Sequence, residues 1–454
     1  MTGITPSMDP IAHALKISLS RLTEEHRPER LIVGLSGGVD SVVLLHALTR
    51  LQTSDEIPVV EAVYINHGLS PNAASWQTFC ASFCASLAVP FTAYTVEVMP
   101  APRESLEACA REQRYAALTR HAKACNGVIL TAHHQNDQVE TVLLQLKRGA
   151  GPKGLGGIPA LTRLHDVTVV RPLLEVSRQQ IEVYALAQQL HWIEDESNAD
   201  DSFDRNFLRQ LILPPVMSRW PSFGQTVARS AGLCAEQQGL LDEVCDERLQ
   251  SICSGPERIS VSGLKRYSQA WQKALLRRWL ENRSVPMPGS RQLEQLLLML
   301  EAKPDAQPVV VLGIHEFRRF QDALFLLTKK GCPGPSVEGP LPLNKTVTLD
   351  ALSLRLTLST SAEGAQYEVK TVTGNSLFSL ARPLLSHSVK PLDAAHHKPL
   401  KQWLKLWGIA PWERTDVLLL SDTEQALAVV LKGKIVPLSS VGDASVYLQV
   451  ELTA

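Results

Sequence analysis

Six consecutive residues, Ser36-Gly37-Gly38-Val39-Asp40-Ser41, set two hydroxyls, two glycines and a carboxylate directly behind an apolar run, Leu31-Ile32-Val33-Gly34-Leu35. Adjacent glycines let the backbone bend sharply and approach a ligand closely, because no Cβ stands in the way. The residues that follow, Ser41 to Leu48, read as a helix. Its first N–H groups lack intrahelical partners and lie at the positive end of the helix dipole, so the strand, loop and helix make a cradle for phosphate or pyrophosphate. Ser36, Gly37, Gly38, Val39, Asp40 and Ser41 are the expected pyrophosphate-binding residues. A carboxylate such as Asp40 repels phosphate unless a cation sits between them. Mg²⁺, which takes one or two carboxylates plus substrate phosphates, is the expected ion. The loop is neither G-x-G-x-x-G nor the lysine-containing phosphate loop. A bare Gly-Gly turn between strand and helix is the plain alternative.

A second stretch, Thr131 to Thr141, leaves an apolar run and enters a helix with His133, Asp137 and Glu140 at i, i+4 and i+7. Imidazole and carboxylates at helical spacing could ligate zinc, but the H-E-x-x-H order is absent. Asp137 and Glu140 equally suit an ammonium, and a polar helix start with Asp in its first turn is the default for an isolated segment. Arg111 and Arg114 lie three apart and share one helix face. Two guanidinium forks there suit a phosphate clamp, or simply a solvated charged face.

The elements that must position these groups follow from periodicity. Pro10 to Leu22 reads as an amphipathic helix, and Val59–Ile65, Phe91–Val96, Gly127–Thr131 and Val167–Val170 read as further strands. Helices over 74–87 and 105–125 alternate with them. This order predicts an α/β fold with a doubly wound parallel sheet, in which ligands bind beyond the carboxyl ends of the strands. Ser36, His67 and His133 all fall there. Residues 214–330 read as helical, including a basic amphipathic stretch with Lys273, Arg277 and Arg278. Gly331-Cys332-Pro333-Gly334-Pro335-Ser336 marks a linker. Alternation around Leu352–Leu358 then announces a small α+β unit, in which Lys398, Lys401 and Lys405 would share a helix face.

Lys and Arg number 45 against 46 Asp and Glu, so a nucleic-acid partner would have to be met by local basic patches. The 8 cysteines include no C-x-x-C pair, as expected of a reduced cytoplasmic protein. No apolar run approaches membrane-spanning length, so no membrane partner is expected. A homodimer is one assembly that the sequence leaves open.

The Ser36–Ser41 loop resembles that of the N-type ATP pyrophosphatases, which cleave ATP to AMP and pyrophosphate. Taken with Asn66-His67-Gly68-Leu69, Ala110-Arg111 to Arg114-Tyr115, His133-His134 to Glu140-Thr141, Arg148-Gly149-Ala150-Gly151, Arg171-Pro172-Leu173-Leu174, Asp195 to Asn198 and Arg205-Asn206 to Arg209, the first half of the chain resembles the tRNA(Ile)-lysidine synthetases. Ser70 departs from the pattern, standing where the family often has Arg. The resemblance implies a catalytic domain over 1–213, a helical substrate-binding domain over 214–330, a linker over 331–345 and a tRNA-binding α+β domain over 346–454. It implies ATP and Mg²⁺ as cosubstrate and cofactor, and tRNA(Ile) bearing a CAU anticodon and free L-lysine as partners. The reaction would adenylate the C2 oxygen of the wobble cytidine and join the lysine ε-amine to C2. Asp40, Arg111, His133 and Asp137 would be catalytic, with His133 a candidate base. Asp137 and Glu140 would bind lysine, and Arg114, Arg148, Arg205, Arg209, Lys401 and Lys405 would contact tRNA or phosphate. A thiolation enzyme of the same superfamily and a non-catalytic tRNA-binding protein are the alternatives.

Overall fold

The computed structural model describes residues 9–25, 28–54, 57–99, 106–194, 196, 200–303, 306, 308–328, 339–349, 354–371, 378–431, 434–438 and 440–452. The 331–336 linker segment, Ser105, Asp195, Ser197 and Asn198 lie outside them. The chain divides into two compact units, 1–244 and 245–454.

The first unit alternates helices and strands. In order come α1 (Pro10–Glu25), β1 (Arg30–Gly34), α2 (Val39–Ser54), β2 (Val59–Asn66), α3 (Ala73–Ser86), β3 (Phe91–Thr95), α4 (Leu106–Ala124) and β4 (Gly127–Leu130). They are followed by α5 (Gln135–Lys147), α6 (Pro152–Leu155), β5 (Leu161–Leu164), β6 (Val167–Val170), α7 (Arg178–Ala187), α8 (Asp204–Phe207), a π-helical turn (Leu208–Ile212), α9 (Leu213–Arg219) and α10 (Phe223–Ile252). The sheet runs β3-β2-β1-β4-β6-β5, parallel except for β5. From β1 the chain goes to β2 on one side, and β4 returns on the other. The carboxyl ends of β1 and β4 therefore flank the switch point where such sheets bind ligands. Alternation along β1 explains its central place: Leu31 and Val33 join the core with α1, α2 and α7, and Ile32 joins the core under α4.

The antiparallel edge strand β5 is absent from the sequence expectation. Its burial alternates between exposed and half-buried, so it has no apolar run to announce it. It forms a hairpin with β6 through His165 and Asp166, both at positive φ (46° and 65°), the geometry of a type I′ turn.

The boundary falls within α10, whose residues from Cys245 on belong to the second unit. Then come β7 (Arg258–Ser260), α11 (Val261–Lys265), α12 (Gln269–Glu281) and α13 (Ser290–Glu301), followed by β8 (Val309–Leu312), β9 (His315–Phe320) and β10 (Ala323–Thr328). The 214–330 segment, read as helical, thus also holds a four-stranded sheet, β7-β10-β9-β8. Its two hairpins turn on two residues each, with Gly313 and Gln321 at positive φ. Trp279 of α12 and Phe317 of β9, both fully buried, meet edge to face at 6.3 Å between centroids.

Beyond this, two antiparallel sheets pack face to face. One joins Gly339–Leu341, Phe378–Ala381, Leu418–Ser421, Ala426–Leu431 and Lys434–Pro437. The other joins Thr346–Leu349, Leu354–Ser359, Ala444–Leu452 and Tyr367–Thr371. Period-two alternation sorts their residues: Leu418 and Leu420 enter the core between the sheets, whereas Leu419 faces helix Leu400–Leu406 on the outer side. Lys401 and Lys405 are exposed on that helix, but Lys398 is in the preceding strand pair, so the three lysines do not share one helix face. No helix among the described residues is long and apolar enough to cross a membrane.

Trp279→Ala removes a fully buried side chain against Phe317 and should destabilise the second unit by about 3–5 kcal/mol in a denaturant titration. Its indole N–H has no hydrogen-bond partner among the described residues, so Trp279→Phe, which keeps an aromatic ring against Phe317, should cost under half as much; equal losses would contradict a contribution from ring packing against Phe317.

Candidate active site

The loop after β1 is held by its own serines. Ser41 Oγ donates to Gly38 O (3.0 Å) and accepts from Ser36 N (3.2 Å), while the Ser36 and Ser41 hydroxyls lie 3.2 Å apart. Gly37 sits at φ +89°, and a Cβ there would come within 2.6 Å of Ile193 Cδ1, so only glycine fits. Ile193 N donates to Gly37 O (2.9 Å), fastening the segment after α7 to the loop.

Asp40, in the first turn of α2, faces two groups that the sequence reading did not single out. Arg178 Nη1 donates to both carboxylate oxygens (2.9 and 2.8 Å), and His134 Nε2 lies 3.6 Å from Oδ1. Burial pushes the Asp40 carboxyl above its ordinary range, against the pull of His134 and Arg178. The cation that Asp40 needs beside a phosphate cradle is thus in part the protein's own guanidinium. With 27 % of its side chain exposed, the carboxylate still offers an edge of the donor type that Mg²⁺ prefers.

His134, only 3 % exposed, caps α5. Its Nδ1 accepts from Asn136 N (3.2 Å), so a ring hydrogen sits on Nε2. Nε2 lies between Asp40 and Asp137 Oδ2, 3.5 Å from the latter. The reciprocal capping bond runs from His134 N to Asp137 Oδ2 (2.9 Å). Burial alone would raise the Asp137 carboxyl, but His134, His133 and Arg205 overcome it and hold it below the usual range.

Glu140, the next acid along the helix, is 0 % exposed. Arg209 donates to both of its oxygens (Nε 2.7 Å, Nη2 2.9 Å) and reaches Asp137 Oδ1 (3.3 Å), and Arg205 Nε lies 3.1 Å from Glu140 Oε2. Arg205 also donates to Thr141 Oγ1 (3.0 Å). Glu140 is therefore no open ammonium ligand in this structure; it anchors the two arginines, which grip α5 directly. The zinc reading fails as well: among the described residues, the only three metal-ligating side chains whose donor atoms cluster are Glu61, His121 and Cys125.

His133 contacts Thr131 Oγ1 through Nδ1 (2.9 Å). Burial drives its pKa down to about 3; the nearby Asp137 opposes the shift, while the charges of Arg171, Arg111 and Arg114 reinforce it. A ring so hard to protonate is a poor proton acceptor at neutral pH, so a base role for His133 is not supported. Arg111 and Arg114 lie over the Tyr115 ring (5.3 and 5.7 Å), near enough to His133 for their charges to act on it. Arg148 is exposed at the end of α5. Lys401 and Lys405 belong to the second unit. Arg171 is buried and donates to Pro159 O (2.8 Å).

Of the residues missed, His134 could have been found: it is the last residue before the helical pattern, where a capping side chain belongs. Arg178 could not, because its partner Asp40 lies 138 residues away.

A serine-lined loop from the central strand into a helix, at the switch point of a parallel sheet, defines a PP-loop domain, and the family model of that description matches residues 11–216. Two further models match, a TilS substrate binding domain over 259–325 and a TilS substrate C-terminal domain over 379–434. The chain is 41% identical over 415 residues to a tRNA(Ile)-lysidine synthase of Yersinia pseudotuberculosis serotype O:1b, covering 87% of this chain and 90% of the relative. It is 38% identical over 434 residues to one of Hamiltonella defensa, covering 91% and 93%. The chain belongs to the tRNA(Ile)-lysidine synthase family.

Two consequences can be measured. Glu140→Gln leaves two guanidiniums facing a neutral amide and should cost about 3–5 kcal/mol in chemical denaturation. Glu182→Gln, at the exposed Arg178 pair, should cost under about 1 kcal/mol. The second concerns pH. His133 is neutral when folded and titrates near its ordinary 6.5 when unfolded, so the unfolded chain binds the extra proton. Its stabilising contribution is full above pH 6.5 and is lost as pH falls from there toward about 3. His133→Gln should flatten the stability–pH curve in that window by up to about 1.4 kcal/mol per pH unit; an unchanged slope would contradict the burial argument.

Proposed function

We propose that this protein uses ATP to convert the wobble cytidine of CAU-bearing tRNA(Ile) to lysidine, releasing AMP and pyrophosphate. The observation that carries the reading is the meeting of the PP-loop carboxylate Asp40 with the α5 carboxylate Asp137 through His134, in the crevice at the strand ends where such a sheet binds its ligand. The residues divide as 1–213 for catalysis, 214–330 for substrate binding, 331–345 as linker and 346–454 for tRNA binding.

The C2 oxygen of cytosine is a poor leaving group. It attacks the α-phosphate of ATP, the bond to pyrophosphate breaks, and the base becomes an O-adenylate. Ser36 to Ser41 hold the departing pyrophosphate, stabilising charge as it develops. Asp40 would hold Mg²⁺, which when bound neutralises phosphate oxygens. Three carboxylates, Asp40, Asp137 and Glu140, already face three guanidiniums, Arg178, Arg205 and Arg209. Phosphate charge entering this balanced site calls for further cations, and Arg111, Arg114 and Arg148 supply them.

The ammonium of free L-lysine gives up its proton to solvent, its ε-amine attacks C2, and AMP leaves as the bond from C2 to the adenylate oxygen breaks and the adduct nitrogen loses its second proton. Asp137 positions the ammonium, and Glu140 acts through Arg205 and Arg209, which we place near the phosphates or the anticodon stem. Lys401 and Lys405 contact tRNA phosphates in a salt-dependent way. Thiolation of the base is the weaker reading: the sequence has no C-x-x-C pair, and Cys80 and Cys84, the two nearest in sequence, are buried, with burial pushing each up to about 12, which suits core packing and not sulfur transfer.

The deciding assay is transfer of radiolabelled lysine to unmodified tRNA(Ile) bearing CAU. Label should appear only with ATP and fall at least a hundredfold in Asp40→Ala while tRNA still binds. AMP and pyrophosphate without lysine transfer would keep the adenylation and discard the nucleophile; tRNA binding with no ATP turnover would favour a non-catalytic binder.

A further inference from the structure

The cluster of metal-ligating side chains noted above sits in the first unit, away from the PP-loop. Glu61 of β2 is paired in register with Ile32 of β1, four residues before Ser36, or about 13 Å back along the strand. It shares its face of β2 with Val63 and Ile65, which pack under α4, so a charged side chain stands where the alternation calls for an apolar one. The side chain is only 9 % exposed. Opposite it, the carboxyl-terminal end of α4 presents His121 and, just past the helix, Cys125. Ligand atoms of the three residues all lie within 4.8 Å of one another.

Two further observations point to an ion. Tyr94 OH contacts His121 Nδ1 at 2.9 Å, the outer hydrogen bond that commonly orients a metal-ligating imidazole through its other nitrogen. His121 Nε2 is buried and lies 3.0 Å from Glu61 Oε1, yet it makes no hydrogen bond of acceptable direction. The nitrogen and the carboxylate oxygen are thus close but not aligned on each other, as two donors sharing a third atom would be. Donors around a tetrahedral zinc stand roughly 3.3–3.7 Å apart, given bonds of about 2.0–2.3 Å, so the 3.0 Å nitrogen–oxygen pair opens by a few tenths of an ångström when an ion enters. The remaining bonds to Glu61, from Arg30 Nη1 to Oε2 (3.2 Å) and from Thr92 Oγ1 to Oε1 (3.2 Å), fix the carboxylate on the sheet. Cys125 is partly exposed, which gives an ion a way in.

We infer that Glu61, His121 and Cys125 form a binding site for Zn²⁺ that fastens the end of α4 to β2. A carboxylate, an imidazole and a thiolate suit zinc by ligand type. The Cys125 thiol, which donates to His121 O at 3.3 Å, gives up that bond and its proton on binding. Water completes the fourth position.

The test uses the full-length protein stripped with chelator and titrated with Co²⁺, then Zn²⁺. One Co²⁺ per chain should bind with a thiolate-to-cobalt charge-transfer absorption that Zn²⁺ displaces. Cys125→Ser should abolish that absorption and Cys234→Ser should leave it intact. Tyr94→Phe, which removes only the outer bond to His121, should weaken Zn²⁺ binding about 10–100-fold. Should Cys125→Ser misfold, Zn²⁺ protection of Cys125 from alkylation in the unaltered protein, read by peptide mapping, decides instead. No thiolate absorption, absorption surviving Cys125→Ser, or alkylation of Cys125 unaffected by Zn²⁺ would overturn the site and leave a hydrogen-bonded cluster only.

Discussion

The buried carboxylate of Glu140 constrains the first unit more than any other group. An ionised side chain with no exposure is tolerable only if it is paired and hydrogen-bonded, because removing one charge from water costs several kcal/mol. Arg205 and Arg209 meet that demand from a segment more than sixty residues later, and so the turn over 204–212 must lie against α5. Arg209 sits in a π-helical turn, a local irregularity that is common at functional sites. From Glu140 the pairing continues through Arg209 to Asp137, through His134 to Asp40, and ends at Arg178. Acids and bases alternate along this line, and each holds its neighbours in place.

This line also sets the electrostatic state in which the PP-loop meets its ligand. The α2 dipole and the serine hydroxyls favour an anion, whereas Asp40 opposes one. Arg178 moderates that opposition without removing the carboxylate from solvent. The loop gains its shape from Gly37 at positive φ and from the Ile193 bond, so strand, loop and the segment after α7 are positioned together. His133 and His134, adjacent in the chain, do different things because their surroundings differ. His134 is fixed between two carboxylates, while His133 is kept neutral by burial and by the arginines around it.

The second unit solves a different problem, that of displaying surfaces on stable supports. Its first sheet is pinned to the helices by Trp279 and Phe317, and its sandwich is sorted by plain two-residue alternation. The helix Leu400–Leu406 buries Leu400 and Leu404 and turns Lys401 and Lys405 outward. Its seven residues would not hold as a helix alone; the apolar face of the sheet beneath supplies the stability.

The local sequence alone determined the parallel α/β sheet, the loop of Ser36 to Ser41, and the gathering of Ser36, His67 and His133 at the strand ends. Each rests on spacing within a few residues: apolar runs, a glycine pair, polar residues where a strand passes into a helix. The edge strand β5 and the hairpins of β8 to β10 escaped that reading because short alternating strands look like loop or helix until a partner strand claims their hydrogen bonds. Only the tertiary structure decided what the charges do. Glu140 was legible as a carboxylate on a helix, but whether it met an ammonium or two guanidiniums depended on where Arg205 and Arg209 arrived. Arg178 carried no signal at all until folding brought it across 138 residues to Asp40. Spacing sets which residues share a face; the energy of a charge depends on what folding brings within a few ångströms of it.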